Sequence, residues 1–598
     1  MKIFPANWWA GMKYSHLQIM IYEKEVSQYQ VFLKSDGAKI TSVQRTGNPN
    51  YLLIYIETKE APIQTMYINL TAVNRKTISI PFELKERTFI NVPTIDSTDV
   101  VYLLIPDRWA EGKNMAEKEN IYKKMKEKTA NREEGLSRHG GDIAGMVEHL
   151  NYLEELGITS IWPTCMLEND NEIASYHGYG VTDHYKIDPR LGSNDEFKEY
   201  VKKANQRGIK VIMDLVFNHC SNLCFLYDDM IDPSWFNMNK TFINTNFKTQ
   251  NVIDPYSSIV DHELATRGWF DSKMPSLAGD NPQVAQYLYQ SSLWWIEYAG
   301  INGIRMDTYP YNDWDFMQQW CKTIEEEHPG FNIIGETWLD SNVGISIWQK
   351  DSPLAAPRNS MLPSVMDFPL FALFPSVCDE ETDDWTHGLT RIVNYLYQDY
   401  VYAHPRRLLT FISNHDTCRF SNNMEQIRNT VRYKQALTLL LTLRGIPQLY
   451  YGDEIAMYGT KDNMDIGQRH DFPGGFEGDN VNVFLNYNMT DYMHEYLTFT
   501  RKILNWRKRK DINSTIAFGK TVQFNARYGV YVYARILGDT MLTFMINGTW
   551  KDVDLPLNIF HEVLPKNQAY EMLSDRFLDF SKDTLHFNPR DIFILEWR

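Results

Sequence analysis

The stretch GIRMDTYPY, residues 303–311, sets Arg305 and Asp307 two positions apart in what reads as a buried strand, so that both side chains share one face. A charge in such a place is costly unless it is paired. Either the two residues form an internal salt bridge, or one of them is held ready for chemistry. Polar residues end other apolar runs in the same way: Asp214, Asn218 and His219 in KVIMDLVFNH, Glu336 in FNIIGE, and Asn414, His415 and Asp416 after LLTFIS. Any one of these could merely cap the helix that follows. Three carboxylates at strand ends on one barrel face instead suit glycoside hydrolysis, in which one acid protonates the leaving oxygen and another attacks or stabilises the anomeric carbon. The acids then need different protonation states. Arg305 would keep Asp307 ionised, as a nucleophile must be. Glu336 has Trp338 beside it and the negative Asp307 across the barrel, influences that would raise its pKa and make it the proton donor. A metal site is the competing reading, since His177, His184, His219 and His415 lie near acids, but their spacing fits no HExxH-like pattern. Hydrogen bonding to sugar hydroxyls is the better use of these histidines.

Elements able to position such residues are written into the pattern. Eight apolar runs, VYLLIP, ITSIWP, KVIMDLVF, INGIRMD, FNIIGE, PSVMDF, LLTFISN and PQLYYGDE, alternate with helical segments, which predicts a (β/α)8 TIM barrel. One helix is expected from Ile143 through Met146, Val147, Leu150 and Leu153 to a stop at Gly157. Another starts at the cap Ser193, buries Phe197, Tyr200, Val201 and Ala204, and ends at Gly208. An aromatic-rich insertion over residues 220–280 follows strand 3 and reads as a lobe over the barrel mouth. Period-2 alternation near both ends (LQIMIYEK, YQVFLKS, YLLIYIETKE, MYINLTAV, ISIPFELKE; then GVYVYARIL, DTMLTFMING, RDIFILEWR) predicts flanking β-sandwiches. The chain thus reads as multidomain, with an N-terminal sandwich at 1–92, a barrel at 93–511 and a C-terminal sandwich at 512–598.

With 598 residues, 43% hydrophobic and 23% charged, the chain has the composition of a large globular protein. A formal net charge of -16 repels phosphate backbones and anionic lipid heads, so a neutral substrate is easier to accommodate than nucleic acid or a membrane surface. The basic runs KKMKEK and RKRK read as solvated helix faces rather than binding patches. No apolar run approaches the ~20 residues of a membrane helix, and the N-terminus lacks a signal-peptide core. Six cysteines without a CxxC pair form no disulfide framework; Cys220 and Cys224 read as free thiols.

DLVFNH, GIRMDTYPY, GETW and SNHDT, in this order, resemble the four core regions of the α-amylase family, glycoside hydrolase family 13, and GITSIWPT and GIPQLYYGDEI resemble two accessory regions. The resemblance implies Asp307 as nucleophile, Glu336 as acid/base and Asp416 as transition-state stabiliser, with Arg305 supporting Asp307. It implies that His177, His219 and His415 bind hydroxyls of the reacting sugar, that Tyr179 stacks on that sugar, and that Trp338 takes part in binding. Retention of anomeric configuration is expected. PANWW, HGYGVTDHYKIDPRLG, LPSVMDFPL and DFPGG are similar to the cyclomaltodextrinase and neopullulanase group, in which Asp465 and Arg469 would occupy a loop holding a donor sugar. Two departures stand out. MPSLAGDNP replaces the group's MPxLN, which bears on specificity. Where many members carry a calcium loop, DRWAEGKNMAEKE puts Glu111, Lys113 and Ala116 at oxygen-donor positions, leaving Asp142 as the surviving ligand position. No cofactor is therefore expected to be required, and a calcium site is expected to be weak or absent. The expected function is retaining hydrolysis of α-1,4 bonds in maltooligosaccharides, cyclodextrins or pullulan. Transglycosylation or α-1,6 cleavage is the alternative, with a non-catalytic glucan-binding or transporter-associated role as a third. The resemblance also implies an oligosaccharide as the partner, a homodimer through the N-terminal domain, and a periplasmic location with the signal removed; the missing signal peptide by itself reads as cytoplasmic.

Overall fold

The eight apolar runs become the eight strands of one parallel barrel in the computed structural model, which describes every residue except 74, 463 and 598. In chain order they are β1 (Val101–Leu104), β2 (Ser160–Pro163), β3 (Lys210–Leu215), β4 (Gly303–Met306), β5 (Ile333–Gly335), β6 (Ser364–Val365), β7 (Leu409–Phe411) and β8 (Ile446–Tyr450). Their order around the sheet is β6-β5-β4-β3-β2-β1-β8-β7, and a parallel bridge between Met366 and Leu409 joins its two edges. The strands are buried almost throughout, which is why they read as continuous apolar runs without alternation.

Helices cover the outside. Helix α1 (Asn194–Gln206) begins with a reciprocal capping box between Ser193 and Glu196 and buries Phe197, Tyr200, Val201 and Ala204, as its sequence predicts. Helix α2 (Pro282–Ala299) starts at the cap Asn281 and stops at Gly300, whose φ of 70° is open to glycine at little cost. The helix expected from Ile143 to Gly157 is instead two, Ile143–Glu148 and Leu150–Leu156. They part at His149, whose ring stacks on Phe484 at 3.5 Å; a contact from far along the chain overrides the local period. Gly157 does end the second helix, at a φ of 101°.

The N-terminal domain is two four-stranded sheets and the C-terminal domain a six-stranded sheet with a two-stranded one. The five predicted N-terminal strands are present, and Lys39–Arg45 adds an edge strand to the first sheet. That sheet packs on the barrel: the Gln18 backbone N–H donates to Gln290 Oε1 of α2 at 2.7 Å, and Gln290 returns a bond to the Gln18 carbonyl at 2.8 Å.

Between β3 and α2 lies the inserted lobe, which includes the helix Ile259–Arg267. Its two ends meet at the barrel mouth, where His219 bridges Ser276 and the Leu277 N–H donates to the Asn218 carbonyl at 2.9 Å. The unusual MPSLAGDNP segment therefore serves both the mouth, through Met274, and the start of α2, through the cap Asn281. The N-terminal domain grips the same lobe from behind. Asp229 accepts from Tyr22 (3.0 Å), Asn48 (2.7 Å) and Asn50 (2.7 Å), and the Tyr51 hydroxyl donates to the Phe225 carbonyl at 2.6 Å. All six cysteines are unbridged, Cys220 and Cys224 among the buried ones.

Candidate active site

Strand register places the first two acids. Asp307 follows the end of β4, and its N–H donates to Leu215 of β3; Glu336 follows β5, and its N–H donates to Met306 of β4. Asp214 lies directly opposite Arg305 in the β3–β4 pairing. Asp416 sits in the turn after β7, where its N–H donates to the Asn414 side chain at 3.1 Å. A cavity of about 900 Å³ opens over these strand ends, and Asp307, Glu336 and Asp416 all line it.

Arg305 is the hub of the floor. Its Nη1 lies 2.8 Å from Asp307 Oδ1 and 3.0 Å from Asp214 Oδ1, and its Nη2 lies 2.7 Å from Glu336 Oε2. The pairing of Arg305 with Asp307, read from their spacing, is present, but Arg305 does not single Asp307 out. Its planar fork reaches both acids, which sequence distance conceals because the second lies on the next strand. Burial lifts Asp307 to about 6, with Arg305 pulling it down and Asp214 and Asp416 pushing it up. Burial lifts Glu336 further, to about 7, again against Arg305 and with the negative Asp307 and Asp416 adding. For Asp416, burial pushes upward, but His415, Arg469, Arg305 and Lys461 outweigh it and hold the carboxyl down at about 2. Glu336 thus stands above Asp307, and Asp307 stands higher than its arginine neighbour alone would leave it.

Backbone strain marks the same spot. Thr308, directly after Asp307, has a φ of 46°, in the left-handed region that a β-branched residue rarely enters. The turn aims the Thr308 N–H at Glu336 Oε2, 2.8 Å away.

Around the acids, Tyr179 lines the cavity and its hydroxyl lies 3.0 Å from Asp214 Oδ2 and 2.7 Å from His415 Nε2. Its ring lies nearly parallel to the rings of His177 and His415, with centroids 5.7 and 5.6 Å away. His219 also lines the cavity and meets the Tyr179 carbonyl at 3.1 Å. Burial lowers His177 and His415 to about 3 and His219 to about 4, so all three are neutral hydrogen-bonding groups near pH 7. His184 stands apart, edge-on to Tyr287. Trp338, 39% exposed, stacks on Phe368 at 4.6 Å and lines the cavity.

Asp465 lines the cavity, whereas Arg469 is buried and committed to Asp416, its Nη2 2.8 Å from Oδ1. Lys461 was not singled out in the sequence. Its Nζ donates to the Asp416 carbonyl at 2.7 Å, pairs with Asp465 at 3.3 Å and lies 5.8 Å from the Trp338 ring. Its place in the segment of Asp465 and Arg469 is the signal that could have found it. The lobe supplies much of one wall, including Phe247, Phe270 and Met274, and Tyr311 closes it from behind β4.

Buried carboxylates of graded acidity at the C-terminal mouth of a (β/α)8 barrel, beneath an aromatic-walled cavity, are the marks of a barrel glycoside hydrolase. Comparison with known families narrows this. The alpha amylase catalytic-domain family matches residues 103–513, the cyclomaltodextrinase N-terminal domain residues 2–88 and the cyclo-malto-dextrinase C-terminal domain residues 521–596. The chain belongs to the α-amylase family of glycoside hydrolases, in its cyclomaltodextrinase and neopullulanase group. Among its relatives, a cyclomaltodextrinase of Thermoanaerobacter pseudethanolicus is 28% identical over 86% of this chain and 79% of its own length. Neopullulanase 2 of Thermoactinomyces vulgaris is 28% identical over 71% of this chain and 67% of its own. Of solved structures, the α-amylase of Geobacillus thermoleovorans complexed with acarbose superposes with a TM-score of 0.67 at 26% identity, covering 86% of this chain and 99% of that one.

Proposed function

We propose that the chain is a retaining α-glucan hydrolase that cleaves α-1,4 bonds in maltooligosaccharides, cyclodextrins and pullulan, in the service of starch degradation. The observation that carries this reading is the Arg305 hub, which holds a lower and a higher acid together on a cavity floor large enough for several sugar rings.

In this mechanism Glu336 is protonated at the start and Asp307 is ionised. Glu336 gives its proton to the glycosidic oxygen as the Asp307 carboxylate attacks the anomeric carbon; the C–O bond to the leaving sugar breaks and a glycosyl ester forms. Glu336, now a carboxylate, takes a proton from water, which attacks the same carbon and frees Asp307. Asp416, the most acidic of the three, remains negative beside the oxocarbenium-like transition state. Arg305 balances the charge that passes between the two acids. Tyr179 offers a ring face to the sugar in the reacting subsite, and His219 and His415 hydrogen-bond its hydroxyls. His177 acts from behind the Tyr179 ring, with its Nδ1 accepting the Tyr179 N–H at 2.9 Å. Arg469 fixes Asp416, while Asp465 and Lys461 meet the donor side.

The test is direct: Asp307→Asn should abolish reducing-sugar release from both cyclodextrin and pullulan, and retained turnover would remove the assigned nucleophile. Panose from pullulan would support α-1,4 cleavage, and maltotriose would point to α-1,6 cleavage.

Among the described residues no helix is long and apolar enough to cross a membrane. A periplasmic location is part of the proposal, on the strength of the resemblance, and fractionation of the native host tests it. Dimerisation through the N-terminal domain would use its second sheet, where Phe32 is 54% exposed, because the first already packs on its own barrel. Sedimentation at micromolar concentration separates monomer from dimer.

A further inference from the structure

The segment after β1 carries a buried positive charge where many members of the family carry a calcium loop. Lys118, on the helix Met115–Tyr122, is only 1% exposed. Its Nζ lies 2.7 Å from Asp142 Oδ2 and 3.8 Å from Glu111 Oε1, and it donates to the Gly140 carbonyl. Two carboxylates and a backbone carbonyl are the oxygen donors that a hard cation takes. Here an ammonium with three N–H donors occupies the point on which they converge.

The surroundings do not fit a divalent ion as well. Asp142 accepts from the backbone N–H groups of Gly112 (3.1 Å) and Gly145 (2.8 Å) at Oδ1 and of Lys113 (3.0 Å) at Oδ2, and the remaining site on Oδ2 takes the Lys118 ammonium. Calcium wants six to eight oxygens, which this cluster cannot supply around a resident ammonium. The reason differs from the one read in the sequence. Lys113 turns outward to Glu196, and Lys118 stands inside.

We propose that Lys118 is a built-in cation that replaces a structural metal, pinning the helix Met115–Tyr122, the Glu111 loop and the Gly140–Asp142 segment to one another. The last of these runs straight into the helix Ile143–Glu148, which Asp142 caps. It is preceded directly by His139, whose Nδ1 lies 2.6 Å from Asp471, two residues beyond the Arg469 that holds Asp416. The ammonium thus fixes one edge of the framework on which the active-site loop rests, without touching substrate.

The experiment compares wild type, Lys118→Met and the double variant Lys118→Met/Asp142→Asn by calorimetry, in excess EDTA and in excess calcium, with metal content measured after dialysis. We expect far less than one equivalent of calcium on the wild type and the same Tm in both media. Lys118→Met strands Asp142 and should lower Tm by several degrees, and neutralising Asp142 in that background should restore part of the loss. One retained equivalent of calcium, a fall in wild-type Tm in EDTA, or an unchanged Tm for Lys118→Met would each overturn the proposal. The wild-type measurements stand even if the variant does not fold.

Discussion

Replacing Glu336 with Gln should stabilise the folded protein above neutral pH while it destroys activity. Burial raises this carboxyl from 4.5 to about 7, so the folded state holds its proton more tightly than the unfolded chain does. The stability so contributed is fully present below the unfolded value of 4.5 and is lost as pH rises through about 7. At about 1.4 kcal/mol per pH unit, the ionised carboxyl costs the folded state roughly 3 kcal/mol at pH 8 relative to acid. Glutamine keeps the shape, removes the charge and relieves Asp307 of a negative neighbour. With an unfolding entropy of about 2.1 cal/mol/K per residue over a barrel of about 400 residues, that energy corresponds to roughly 3–4 °C in Tm. Differential scanning calorimetry of wild type and Glu336→Gln at pH 5 and pH 8 reads it. The Tm difference between variant and wild type should grow by about 3 °C on going to pH 8. A difference that stays flat or shrinks would mean that the Arg305 contact at 2.7 Å outweighs burial, and the reasoning that makes Glu336 the proton donor would fail with it.

Three further outcomes follow from the same geometry. The kcat/KM profile should be bell-shaped, rising as Asp307 loses its proton near 6 and falling as Glu336 loses its own near 7, and a flat profile from pH 5 to 8 would contradict both assignments. Arg469→Ala unpins Asp416 and should cut kcat by ~10–100-fold with the far-UV circular dichroism unchanged, so an unaltered kcat would show that the 2.8 Å pair is incidental. Proton NMR of a fresh digest should show the α-anomer first; a β-anomer would exclude the covalent route through Asp307.

Much of this was legible because barrel strands write themselves as apolar runs and finish in polar residues at the functional face. The i, i+2 spacing of Arg305 and Asp307 sufficed to pair them, since both belong to one strand. It could not reveal that Arg305 also holds Glu336, because that contact depends on the β4–β5 register. The edge strand Lys39–Arg45 escaped notice for want of a buried face. The break at His149 depends on Phe484, and the burial of Lys118 on the loops around it, neither of which local periodicity records. Arg469 lies beside Asp416 and pairs with it rather than lining the cavity, a distinction that only side-chain direction can make.

The clasp on Asp229 changes what it means to exchange parts between relatives. Tyr22, Asn48 and Asn50 hold the back of a lobe whose front is a wall of the substrate cavity. The amino-terminal domain, separable on paper, is tied to that lobe by hydrogen bonds. A chimera that imports a foreign first domain must therefore rebuild this clasp on the lobe, so recombination between family members has to match the seam as well as the barrel.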